Sequence, residues 1–163
     1  MIGLNAGCAV AAIAMALGLA AMPAGAQVLN LVTEAEVAAD RAAASGPPTA
    51  RSIPTKPVLN PNAPRIDVLA PELGGRPLVT PFPISVRFVP AAGREIDPAT
   101  LRIYYGLLGI DITSRILAAT PVTRQGLDVP NARIPKGTHR LQLEIQDNAK
   151  NVGRSDIAFE VSE

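Results

Sequence analysis

Apolar and polar residues alternate with a period of two along four stretches of the chain. Ile84, Val86 and Phe88 alternate with Ser85 and Arg87, and Leu101, Ile103 and Tyr105 alternate with Arg102 and Tyr104. Leu141, Leu143 and Ile145 alternate with Arg140, Gln142, Glu144 and Gln146. Ile157, Phe159 and Val161 alternate with Asp156, Ala158 and Glu160. In an extended backbone this period puts one apolar and one largely polar face on each strand. Shorter strands are expected at residues 66–69, 110–113, 120–123 and 127–129. Turn chemistry separates the stretches: Gly74-Gly75, Asp97-Pro98, Gly126, Pro135-Lys136-Gly137 and residues 147–153. Seven or eight strands within residues 65–163 is the density of a small two-layer antiparallel β-sandwich.

The preceding residues read differently. Thr33-Glu34-Ala35-Glu36 has the form of a capping box, with Thr33 as N-cap and Glu36 reaching back. Good helix formers follow up to Gly46, so one short helix is expected, marginal on its own. Pro47, Pro48, Pro54, Pro57, Pro61 and Pro64 then predict an extended spacer, or simple disorder. Residues 27–64 are therefore read as a short helix and a Pro-rich arm.

Residues 1–26 contain no charged side chain, and a long Ala-rich apolar run ends at Pro23. Ala24-Gly25-Ala26 places small residues where a signal peptidase needs them. This predicts a secretory signal peptide cleaved between Ala26 and Gln27. The absence of Lys or Arg from residues 1–7 departs from that pattern. A retained membrane anchor is the alternative, but the run is shorter than the ~20 strongly apolar residues of a span. The expected location is periplasmic or secreted, with no membrane span after cleavage.

Composition narrows the chemistry. The chain has 163 residues, 15 Lys+Arg, 14 Asp+Glu, one His and no Trp, for a net charge of +1. So small a charge, with arginines spread singly and no stacking aromatics between them, argues against nucleic-acid binding. All three Met and the single Cys lie within the first 26 residues. After cleavage the chain has no disulfide, no thiol nucleophile and no sulfur metal ligand. A copper-carrier role, known for some periplasmic sandwiches, would lack its ligands.

The segment from Ile134 through Asn151 reads I-P-K-G-T-H-R-L-Q-L-E-I-Q-D-N-A-K-N, followed by a last strand ending Phe159-Glu160-Val161. It resembles the penultimate-strand, turn and last-strand pattern of bacterial Ig-like domains, L/I-P-x-G-x-H-x-L-x-V-x-V-x-D-x-A-G-N. Ile96-Asp97-Pro98-Ala99-Thr100-Leu101 is similar to the same domains' strand entry, and so is the run from Ile66 to Pro71. The resemblance covers about residues 64–163 and departs at Lys150, where the family has Gly. It implies an all-β, Ig-like antiparallel sandwich with Greek-key connections, and a strand-starting His139 with a local hydrogen bond. It implies little about function.

Few residues suggest chemistry. His139 has no second His, Cys or Met for a metal site, and Ser85, Ser114 and Ser155 have no nucleophile context. Asp97, Asp147 and Asn151, with Asp111 and Asp128, are oxygen groups near expected loops. They are weak candidates for Ca²⁺ against the simpler role of closing turns. Tyr105 joins the apolar face of its strand, which leaves Tyr104 as the exposed aromatic and a contact candidate. Leu107 and Leu108, between Gly106 and Gly109, are expected to cross buried between strands. The alternative is an exposed apolar loop that docks on a partner. No cofactor is expected. The reading is a non-catalytic exported interaction or structural module of the cell envelope, its partner another envelope protein. The alternatives are a Ca²⁺- or small-ligand-binding accessory domain and a hydrolase of unrecognised type.

Overall fold

The structure is a computed structural model that describes residues 29–46, 60–72 and 74–162. The signal segment with Ala26 and Gln27, and the arm prolines Pro47, Pro48, Pro54 and Pro57, lie outside the described residues. The described chain runs β1 (Leu29–Asn30), α1 (Glu34–Ser45), β2 (Arg65–Ala70), β3 (Leu78–Val79), β4 (Phe82–Val89), β5 (Ile96–Tyr105), β6 (Ile110–Asp111), α2 (Thr113–Ala119), β7 (Gly126–Arg133), β8 (Gly137–Asp147) and β9 (Val152–Ser162).

Two sheets form a sandwich, one in the order β1-β7-β4-β2 and the other β3-β9-β8-β5-β6. The long strands pair antiparallel, as alternation predicts. Their inward positions carry the core: Ile84, Val86 and Phe88; Leu101, Ile103 and Tyr105; Leu141, Leu143 and Ile145; Ile157, Phe159 and Val161 are all buried. A one-residue slip in any pair would turn those faces outward, so burial and register specify each other. The β8–β9 ladder runs unbroken from Gly137↔Val161 to Gln146↔Val152.

Four features differ from the sequence reading. Two parallel edge strands, β1 on β7 and β3 on β9, bring the strand count to nine among the described residues and make both sheets mixed. Each has two residues, too few to show a period. Residues 113–119 form α2 where a strand was expected to end. Asp111 accepts from the Thr113 N–H at 2.8 Å, turning the chain, and Ile112 and Ile116, one helical turn apart, fill the core. Residues 120–123 are not a strand. Thr123 instead pairs through its N–H and hydroxyl with the Gly126 carbonyl and closes a turn. Finally, β5 starts at Ile96, before Pro98, and absorbs that proline in a register shift between Asp97 and Arg102.

The first segment belongs to the sandwich and does not stand apart from it. Leu31, Val32 and Val37 are buried in the common core, and the Leu31 N–H donates to the Arg133 carbonyl. That docking supplies the stability a short Ala-rich helix lacks alone. The capping box of α1 is formed: Glu36 N–H donates to Thr33 Oγ1, and Thr33 N–H to Glu36 Oε2.

Candidate functional site

The Gly106–Gly109 turn joins β5 to β6, and both glycines have positive φ, 69° and 63°. A Cβ on Gly106 would fall 2.3 Å from an oxygen of Asp40, so glycine is required there both for conformation and for space. Asp40, on α1, accepts from the backbone N–H of Leu107 at 2.6 Å and of Leu108 at 3.2 Å. The two side chains between are 56% and 53% exposed. The expectation of a buried crossing is thus corrected: the peptide units are tied down while the leucines point to solvent. A two-strand connection this short has no second layer to cover it. Tyr104, half-buried on the outer face of β5, stands opposite Gln142 on β8 and Asp111 on β6. Tyr105, as expected, is core.

Asp40 can reach the turn because α1 is itself fastened. Arg115 of α2 donates to both oxygens of Glu36, at 2.8 and 2.6 Å, and to the Leu31 carbonyl at 3.0 Å. The Arg115 guanidinium, helped by the Thr33 N–H, holds the Glu36 carboxyl down at about 2, against a smaller opposing push from burial. Sequence reasoning found Glu36 as a cap but could not find Arg115, which lies 79 residues away. No local signal marks either Arg115 or Asp40, because both act only across the assembled fold.

His139 begins β8 inside the core. Its Nδ1 accepts from the Tyr105 hydroxyl at 2.8 Å, and its Nε2–H donates to the Pro135 carbonyl at 2.7 Å. Burial pushes the imidazole pKa down, which suits this neutral tautomer; burial also pushes the Tyr105 phenol up, to about 12. The ring sits in a row of aromatics, 5.8 Å from both Tyr105 and Phe159, and Phe159 is 5.7 Å from Phe82. Both nitrogens are committed to the fold.

Asp97, Asp147 and Asn151 lie at one end of the sandwich, at the start of β5 and around the β8–β9 turn. Asp147 is buried, and its oxygens accept from the N–H of Ala149 and Asn151 and from Asn151 Nδ2, all within 2.9 Å. Burial pushes its carboxyl up, and these donors outweigh burial, so the pKa is lowered. Asp97 accepts from the Ala99 N–H. Lys150 takes φ 66°, the left-handed conformation that favours glycine. Asp111 binds the Thr113 N–H, and Asp128 accepts from the Ser85 hydroxyl. These oxygens are occupied in closing turns and bridging strands. Among the described residues, no three of His, Cys, Asp and Glu come together as a metal site.

No helix among the described residues is long and apolar enough to cross a membrane. No protein-family model matches the chain, and no curated protein matches it. Among solved structures the chain is similar to CopC from Methylosinus trichosporium OB3b, at 13% identity and a TM-score of 0.33. The alignment covers 51% of this chain and 78% of that one.

Proposed function

We propose that this is an exported, Ig-like module that works by contact and not by catalysis, with another protein of the cell envelope as partner. The observation that carries the reading is the Leu107–Leu108 tip. Two exposed leucines on a turn whose amides are both anchored to Asp40 are presented in a fixed shape. Preorganisation of that kind lowers the ordering cost of binding, and apolar side chains supply the affinity. A free loop of the same composition would lose that advantage.

The strand arrangement supports the Ig-like assignment. β4 and β7 are neighbours in one sheet, while β8 lies between β5 and β9 in the other. This is the pairing of an Ig sandwich, in which B lies beside E and F lies between C and G. The apolar start of the chain supports export, with cleavage between Ala26 and Gln27.

The test is site-specific photo-crosslinking from position 107 in the native envelope, beside a Leu107→Ser/Leu108→Ser variant. One stoichiometric adduct, lost in the variant at unchanged melting temperature, is the expected result. No adduct from the tip, or substrate turnover by the purified protein that a single substitution abolishes, overturns the reading. N-terminal sequencing of the exported protein checks the cleavage site.

A further inference from the structure

On the flank of α1 that faces the β7–β8 connection lies an open cleft of about 780 Å³, within the ~300–1,000 Å³ typical of small-molecule sites. Val32, Val37, Ile134 and Pro135 contribute an apolar floor. Arg41 from α1 and Arg133 from the end of β7 line it, and neither guanidinium has a carboxylate within ion-pair distance among the described residues. Among the described residues, Glu34 is the one acid in the lining.

Arg65, Arg115, Arg124 and Arg154 each pair with a carboxylate of the same domain. Arg41 and Arg133 have no such pair among the described residues, and neither do Arg76, Arg87, Arg94, Arg102 and Arg140; what sets Arg41 and Arg133 apart is that both line one concave wall. Thr80 also lines the cleft, and its Oγ1 is buried without a hydrogen-bond partner. A buried polar atom that the fold leaves unpaired is the kind of group that a bound molecule or water satisfies.

We infer that this cleft binds a small amphipathic monoanion, with a carboxylate head held between Arg41 and Arg133 and a short aliphatic body against Val32, Val37 and Ile134. Charge complementarity selects the head: two guanidiniums lining one wall favour a planar, bidentate acceptor. The apolar floor selects against a bare anion such as acetate, which would leave it uncovered. This site is independent of the Leu107–Leu108 tip, so either proposal survives loss of the other.

Sodium octanoate is the probe, followed by backbone amide shifts of the purified protein. Saturable shifts are expected at Val32, Val37, Ala38 and Ile134. Arg41→Gln and Arg133→Gln each weaken binding about tenfold, the loss of one charge-assisted contact. Octanol, acetate and octylammonium each bind at least about tenfold more weakly than octanoate, since each lacks the head, the body or the correct sign. Ala38→Trp, on an exposed helix position lining the cleft, abolishes binding without unfolding the domain. Absence of saturation overturns the inference. So does equal binding of octylammonium, insensitivity to both arginine substitutions, or shifts that map outside the cleft.

Discussion

Replacing Glu36 by Gln changes how the stability of the domain depends on acid. The Glu36 carboxylate receives four donors: two from Arg115, plus the N–H and hydroxyl of Thr33. Its pKa falls from an ordinary 4.5 to about 2, with the Arg115 hydrogen bonds as the largest cause. The folded state therefore releases this proton more readily than the unfolded chain. The resulting stability is fully present above about pH 4.5 and is lost as pH falls through about 2. At ~1.36 kcal/mol for each tenfold change in proton affinity, the ceiling is about 3.4 kcal/mol. Glu36 is 19% exposed and Arg115 38%, so solvent screening reduces this to about 1–2 kcal/mol. The assay is urea unfolding of wild type and Glu36→Gln at several pH values between 7 and 2. Other carboxylates held below their usual range, Asp111 and Asp147 among them, contribute equally to both proteins and cancel in the difference. Wild type is expected to lose about 1–2 kcal/mol more than the variant across that window. Parallel curves would refute the reasoning, and with it the role of Arg115 in fastening α1.

Three further outcomes follow from the same geometry. Asp40→Ala removes the acceptor for two amides, costs about 1 kcal/mol, and accelerates hydrogen exchange at Leu107 and Leu108 while leaving β8 amides protected. Tyr105→Phe leaves His139 Nδ1 buried without its donor; it should cost about 1–2 kcal/mol in denaturant unfolding, and a neutral result would mean that water replaces the hydroxyl. His139, whose pKa burial lowers below 6.5, favours the neutral form in the fold; stability therefore declines as pH drops below 6.5, and thermal scans between about pH 7.5 and 5.5 should show a steeper loss for wild type than for His139→Asn.

The candidate sites were legible to different degrees. His139 could be placed at the start of a strand because glycine, histidine and alternating leucines fall in a recognisable order. The turn chemistry of Asp147 was legible for the same reason: an aspartate that bonds its own following amides needs only neighbours in sequence. The Leu107–Leu108 segment was not. Two leucines between glycines carry no period, so apolarity alone favoured burial, and the short β5–β6 connection with no layer above it decided for exposure. Helix α2 escaped because the β-branched Ile110, Ile112 and Thr113 leading into it read as a strand, and its helical period rests on Ile112 and Ile116 alone. The cleft had no sequence signal: Arg41 and Arg133 are far apart in the chain and line one cleft only in the folded domain.

By itself the sequence determined which faces of the long strands are buried, where the chief turns fall, that α1 begins at a capping box, and that after residue 26 no sulfur chemistry is possible. Those properties depend on period, backbone preference and inventory, which act over a few residues. The tertiary structure alone decided that the N-terminal helix is part of the sandwich, that Arg115 and Asp40 hold it against α2 and the β5–β6 turn, and that two arginines distant in the chain share a cleft. These depend on which distant surfaces meet. That choice is set by packing the whole core at once, because each contact is worth little until the others have placed it.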